Sequence, residues 1–180
     1  MLPIYLSIEG LYSYQKKQEI DFTDLTEAGL FGIFGKVGSG KSTIIEAISF
    51  ALYGDTERLN KQEKRTYNML NLKSDAATIV FEFLNFEGRK FRCIAQWRRR
   101  KKFEETTSLE RYAYEWKEGD WHPLESSDGS EMTHLTYPNF RRTIIIPQGQ
   151  FKEFLELRGK DRSDMMKDIF HLNRFDLGPK

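Results

Sequence analysis

The chain has 180 residues, 39% of them hydrophobic and 14% aromatic, which gives room for one domain or one large lobe and too much aromatic surface for a disordered tail. Its 28 Lys and Arg stand against 27 Asp and Glu, a formal charge of +1, so any contact with a phosphate backbone must come from a local cluster rather than from the chain as a whole. The single cysteine, Cys93, leaves no disulfide framework, no CxxC pair and no thiolate zinc site, as suits a cytosolic protein. No apolar run nears the ~18 residues of a membrane span, and the opening MLPIYLSIEG lacks the basic flank and long apolar stretch of a secretory signal.

Ile4, Leu6 and Ile8 alternate with Tyr5, Ser7 and Glu9, the period of a half-buried strand, and Gly10 ends the run. A second short strand is expected to end around Ile20 to Phe22. Residues 29–34, GLFGIF, form a nearly continuous apolar run that predicts a strand covered on both faces. Glycines follow at 35, 38 and 40, and from Lys41 the residues Ile44, Ile45, Ala47, Ile48, Ala51 and Leu52 recur at helical spacing until Gly54, so the local order is strand, glycine loop, helix. Residues 56–73 are polar and read as a long connection with one helical turn at most. Alternation through residues 77–83 and again through 91–98, on either side of Glu87-Gly88, predicts an antiparallel hairpin. A third member at 111–117 places Tyr112, Tyr114 and Trp116 on one face and turns at Glu118-Gly119-Asp120. These antiparallel strands are expected to form a sheet separate from the buried one. The β-branched run Thr143, Ile144, Ile145, Ile146 ends at Pro147, which fits a central strand. Met165, Met166, Ile169 and Phe170 fit a last helix, capped by Ser163 or Asp161.

The chemistry concentrates in one loop. Gly35, Lys36, Val37, Gly38, Ser39, Gly40, Lys41 and Ser42 match GxxxxGK[ST] in full, with Thr43 following. Glycines let successive backbone amides turn inward on a phosphate, and the following helix adds its positive amino end. Lys41 supplies a point charge to the β- and γ-phosphates, and the Ser42 hydroxyl suits the hard magnesium ion that such phosphates carry. Four or five bonds to charged phosphate, at about 1.5–3 kcal/mol each, are enough for micromolar binding at about −8 kcal/mol once association costs are met. The alternative, an ordinary strand-to-helix glycine turn with a surface lysine, does not require Lys and Ser together at the helix start. Cleaving a phosphoanhydride also needs a group that polarises water and holds the metal. Glu82 lies inside the predicted hairpin, with apolar Phe83 beyond it. Gln148 leaves the carboxyl edge of the expected 143–146 strand, where ligands of α/β sheets bind. Its amide could reach the metal or its water there, or Gln148-Gly149 is simply a turn.

These residues resemble the SbcC family, SMC-like ATPases that work with the SbcD nuclease on DNA ends. The segments that carry the resemblance are IEGLYSYQKKQEIDF, GLFGIFGKVGSGKSTIIEAISFALYGDTERL and TIIIPQGQFKEFLELRGKDRSDMMKDIFHLNRF. They look like the family's opening strand pair, its Walker A segment, and its Q-loop with the helix leading to the coiled coil. The resemblance implies an α/β fold, a P-loop NTPase of ABC/SMC type with a mixed central sheet and an antiparallel β subdomain. It implies ATP and magnesium as ligands, with residues 38–43 on the phosphates, Ser42 and Gln148 on the metal and Gln148 on the nucleophilic water. Residues 68–70 fall near where relatives touch the base, and Tyr12 stands where some relatives carry a basic residue. The family's serine-glycine signature loop, Walker B carboxylates and switch histidine are not found. Ser126-Ser127-Asp128-Gly129 is not such a loop, and His122, His134 and His171 lack a suitable context. Residues 1–180 are therefore expected to be the amino-terminal lobe of a split head that ends where the coiled coil would begin, binding ATP with little turnover by itself. Implied partners are the carboxyl-terminal half of the head, an SbcD-type nuclease, double-stranded DNA through the assembled complex, and a second head in an ATP-bound homodimer. No membrane is implied, and the location is cytoplasmic and nucleoid-associated.

Weaker signals have simpler readings. Arg98, Arg99, Arg100, Lys101 and Lys102 read as a solvated hairpin end balanced by Glu104 and Glu105, with DNA phosphates as the alternative. Cys93 shares a strand face with Phe91 and Ala95, as a buried and inert thiol would. Tyr112, Tyr114 and Trp116 read as sheet packing rather than base stacking. Glu153 and Glu156 suit a solvated helix face, and Met165 and Met166 suit a core. The rival functions are a lobe of another SMC-like repair or chromosome-organising ATPase, a small-molecule P-loop kinase, and a DNA clamp with a degenerate nucleotide site.

Overall fold

The computed structural model describes residues 1–27, 32–56, 66–143 and 159–160. The chain divides into two compact units, Met1–His134 and Leu135–Lys180. Among its described residues the first holds a six-stranded sheet, built from β1 (Leu2–Glu9), β2 (Gln18–Asp21), β3 (Ala76–Leu84), β4 (Lys90–Arg98), β5 (Glu110–Lys117) and β6 (Asp120–Pro123). Their order across the sheet is β2-β1-β3-β4-β5-β6, and every neighbouring pair is antiparallel. The α-helices among its described residues are α1 (Thr23–Glu27), α2 (Lys41–Tyr53) and α3 (Gly129–Thr133), with a 3-10 turn at Thr66–Asn68. In the second unit the described helix is α4 (Tyr137–Thr143).

Register decides which face is the core. Leu6 pairs with Phe81 and Ile8 with Ile79, Phe81 with Cys93, Ile79 with Ala95 and Ala77 with Trp97, and Cys93 with Ala113. All of these are buried, so one face of the sheet is continuously apolar across four strands. The helix α2 covers it, its buried Ile44, Ala47, Phe50 and Ala51 recurring at the spacing that puts them on one side. Phe50 meets Trp97 edge to face with ring centroids 5.2 Å apart, a favoured aromatic geometry. Gly54 closes the helix at φ 67°, and its amide donates to the Phe50 carbonyl at 2.8 Å.

The strand pair at the amino terminus and the 76–98 hairpin share one sheet, because β1 inserts between β2 and β3, and among the described residues its pairing is antiparallel. Two expectations need correction. First, residues 32–34 are not strand, and Phe34 is 93% exposed. An unbroken apolar run cannot by itself tell a buried strand from a glycine-flanked loop; residues 29–31 lie outside the described part. Second, Thr143 ends α4 instead of starting a strand. Residues 144–146, on which the rest of the expected central sheet rests, lie outside the described part.

The opposite sheet face carries Tyr5, Ser7, Val80, Glu82, Lys90, Arg92, Ile94, Tyr112, Tyr114 and Trp116, which follow from the same register. The aromatic stripe of β5 is on this side, with Tyr112 and Trp116 exposed. Trp116 packs edge-on against Trp121 of β6 with centroids 5.1 Å apart, and the Arg92 guanidinium lies over Trp121 at 4.1 Å.

Candidate functional site

The glycine loop enters α2 as its spacing predicts. Val37 and Gly38 form a turn, closed by the Ser39 amide donating to the Lys36 carbonyl at 3.2 Å. Gly38 has φ 82° and Gly40 φ 90°, backbone states that cost a side-chain-bearing residue about 1–2 kcal/mol. Gly40 is the N-cap of α2 and has no side chain to bond the helix's first amides. No side chain caps the first N–H groups of α2, which carry the positive end of the helix dipole. The Thr43 amide bonds the Gly40 carbonyl at 3.0 Å, tightening the first turn.

Lys41 folds back over this loop. Its ammonium donates to the carbonyls of Gly35 and Lys36 at 2.7 Å each and to Ser39 Oγ at 3.4 Å. One cation therefore sits within the curl of residues 35–39, all of them exposed. Ser42, one residue on, is exposed in the first turn, whereas Thr43 is buried. The arrangement offers the uncapped amino end of α2, one lysine charge and one accessible hydroxyl, a donor set that suits an anion chain with a hard cation. Among the described residues no group of three His, Cys, Asp or Glu side chains could hold a metal ion, so a magnesium ion here would depend on the phosphates it accompanies and on Ser42.

One segment distant in sequence is packed beside this loop, and a second is fastened to the first. Tyr14 lies with its ring against Gly40, where a β-carbon would stand 2.7 Å from Tyr14 Cε2 and 2.8 Å from Ser13 Oγ. The Tyr14 hydroxyl donates to the Gly40 carbonyl at 3.2 Å. Leu11 bridges Leu70, the Tyr12 amide donates to the Met69 carbonyl at 2.8 Å, and the Asn71 amide donates to the Gly10 carbonyl at 2.8 Å. The Asn71 side chain adds a bond to the Tyr12 carbonyl. Of residues 68–70, Met69 and Leu70 are buried, and only the Asn68 side chain is exposed. Sequence reasoning did not find Tyr14 or Asn71, because the contacts that matter span 26 and 59 residues.

Other sequence candidates are accounted for by packing. Glu82 is buried and accepts Arg92 Nε at 2.8 Å and Nη2 at 2.5 Å, with Lys90 at 3.2 Å, so it is a charge partner inside the sheet and not a catalytic carboxylate. Cys93 is buried, and burial pushes its thiol up to about 12, which makes it inert as expected. Arg99 is not a free surface charge: it donates to the carbonyls of Phe103 at 2.7 Å and Asn71 at 3.1 Å. Lys102 pairs with Glu105 at 3.3 Å, while Arg98, Arg100 and Lys101 are exposed. His134 lies 3.6 Å from Glu87. Gln148, Glu153, Glu156, Met165, Met166 and His171 lie outside the described residues. No helix among the described residues is long and apolar enough to cross a membrane.

Comparison with known proteins agrees with this geometry. A family model for the AAA domain matches residues 5–174. The SbcC component of the SbcCD nuclease of Bacillus subtilis (strain 168) is 36% identical over 184 residues, covering 97% of this chain and 16% of that protein. Its counterpart in Clostridium acetobutylicum is 34% identical, with 97% and 15% covered. A probable DNA double-strand break repair Rad50 ATPase of Aquifex aeolicus is 31% identical, with 96% and 16% covered. The chain thus spans about one-sixth of the length of these relatives.

Proposed function

Because the chain belongs to the AAA-domain family, on its SbcC-like branch, we propose that it is the nucleotide-binding lobe of an ABC/SMC-type ATPase that acts with an SbcD-type nuclease on DNA ends. The observation that carries this reading is the loop at residues 35–43. Gly38 and Gly40 adopt left-handed backbone, Lys41 closes over the loop, and α2 starts at its end. In this reading the loop amides and the amino end of α2 hold the β-phosphate of ATP. Lys41 exchanges its bonds to the Gly35 and Lys36 carbonyls for bonds to the β- and γ-phosphate oxygens. Such an exchange keeps the ammonium bonded throughout, so it costs little desolvation. The Ser42 hydroxyl would hold magnesium, which supplies charge neutralisation on the phosphates. Gln148 is proposed as the residue that shares the metal and orients the attacking water.

The partners proposed are the carboxyl-terminal half of the same head, a second head across two nucleotides, an SbcD-type nuclease, and double-stranded DNA in the assembled complex. They follow from the names of the relatives and from the family resemblance. The kinase alternative finds no support in the antiparallel sheet, and the clamp alternative is separated by nucleotide affinity.

The test is a calorimetric titration with ATP, with and without magnesium. Wild-type protein should bind in the micromolar range. Lys41→Ala should lose at least about 100-fold, equivalent to two charge-assisted bonds. Ser42→Ala should lose chiefly the part of the affinity that magnesium adds. Unchanged affinity in Lys41→Ala would favour the clamp reading.

A further inference from the structure

Beyond the loop itself, we infer that Tyr14 is a positioning residue of the phosphate loop, backing the junction between Gly40 and Lys41 so that the lysine and the first amides of α2 are already aimed when a phosphate chain arrives. The inference rests on reading residues 35–43 as a phosphate site. It starts from Gly40, the residue of the loop with most freedom to misdirect the helix start. Glycine populates both signs of φ at similar cost, so nothing in Gly40 alone keeps it at φ 90°. What stands beside it is the Tyr14 ring, close enough that even a β-carbon would collide at 2.7 Å, with the hydroxyl bonded to the Gly40 carbonyl at 3.2 Å. That carbonyl also receives the Thr43 amide, so ring and first helical turn grip the same peptide unit from two sides.

A backing group works only if it is itself fixed. Leu11 and Tyr14 exchange both backbone bonds, at 3.1 and 2.8 Å, which closes the turn that carries the ring. Within this turn Tyr12 has φ 46°, an unfavourable state for a residue with a β-carbon that persists only where its surroundings over-determine it. The surroundings are on the 66–75 segment: the Met69 carbonyl accepts the Tyr12 amide, and the Asn71 side chain donates to the Tyr12 carbonyl. Asn71 is in turn held by Arg99, whose Nη2 donates to the Asn71 carbonyl at 3.1 Å. The strained turn is thus fastened on one side to a segment 59 residues away and presents its aromatic ring to Gly40 on the other. Ordering the loop in advance lowers the entropy lost on binding, which appears as affinity without any new contact to ligand.

A residue that only fills space would change unfolding without changing the affinity of the folded protein, and a residue that touches the base would matter for ATP but not for a bare phosphate chain. The experiment therefore titrates wild type, Tyr14→Phe and Tyr14→Ala with magnesium ATP and, separately, with magnesium and inorganic tripolyphosphate, alongside unliganded thermal melts. Tyr14→Ala should lose about tenfold in affinity for both ligands, and Tyr14→Phe, which keeps the ring, should stay within about twofold for both. Should Tyr14→Ala not fold, Tyr14→Leu reads the same comparison. Asn71→Ala, which leaves the ring but unfastens Tyr12, should lose about threefold for both ligands. Wild-type affinity in the Tyr14→Ala or Tyr14→Leu protein, or a loss confined to ATP, overturns the inference while leaving the phosphate site standing. A wild-type protein that binds neither ligand overturns both.

Discussion

At the scale of single residues, charge pairing explains more of this chain than catalysis does. Glu115 is 3% exposed at its side chain, yet it stays ionised, because the bond from Arg89 Nε at 2.6 Å and the Lys117 ammonium at 2.6 Å hold its carboxyl down at about 2. An unfolded glutamate titrates near about 4.3, so the folded form gains stability that is complete above that pH and is lost as pH falls through the folded value. Glu115→Gln should therefore be less stable than wild type at neutral pH, with the gap closing between about pH 4.3 and 2. Urea denaturation across that range measures it, and a gap that persists unchanged at pH 2 would contradict the pairing. Arg99 teaches a related lesson. In the sequence it is one of five basic residues in a row, but its donors are spent on the carbonyls of Phe103 and Asn71. Neutralising all five together would collapse a turn as well as remove charge, so any assay of DNA contact has to keep Arg99 and change Arg98, Arg100 and Lys101.

At the scale of elements, those with a strong period were legible and those without were not. The helix α2 showed itself through apolar spacing and a terminal glycine, and the hairpin β3–β4 through strict alternation, so both fall where the sequence put them. The helices α1 and α3 have five residues each, too short for periodicity to register. Their starts rest on local bonds, such as Asp128 Oδ1 accepting the Ser130 amide at 3.0 Å. The phosphate loop was legible because its function requires particular residue types at fixed spacing. Its brace was not, because a tyrosine ring against a glycine 26 positions later leaves no mark in either local sequence. The aromatic stripe of β5 was placed on one face correctly, but periodicity cannot say which face the helix covers, and α2 covers the other. The C-cap of α2 offers a direct test of an element boundary. Gly54 sits at φ 67° with Arg111 and Leu109 atoms 3.3 Å from where a β-carbon would go. Gly54→Ala should cost about 1–2 kcal/mol, read as a lower urea midpoint with unchanged slope. A neutral result would mean that the cap can relax.

At the scale of the molecule, stability and the candidate chemistry occupy different places. The apolar face shared by β1, β3 and β4 holds Leu6, Ile8, Ile79, Phe81, Phe83, Phe91, Cys93, Ala95 and Trp97, all buried. Residues 32–39 are exposed throughout, and their anchoring comes from Lys41, the 36–39 turn and the Gly40 junction. Opening of the loop should therefore cost far less than opening of the sheet, as is usual where a site must accept and release ligand. A ligand that grips the loop changes this ordering. Amides of Gly38, Gly40, Lys41 and Ser42 should exchange hydrogen rapidly in the free protein and slow sharply with magnesium ATP, whereas amides of β3 and β4 should be slow in both states. Global stability should also rise, by about 2.7 kcal/mol at a ligand concentration 100 times the dissociation constant. For a chain of this size that is a melting shift of about 5–10 °C. Lys41→Ala should lose both effects while its unliganded melt stays close to wild type, since the bonds that Lys41 makes are to exposed loop atoms. Hydrogen exchange read by mass spectrometry on the two proteins separates the cases. If nucleotide protects β3 and β4 but not residues 38–43, the ligand binds elsewhere on the sheet and the loop assignment fails.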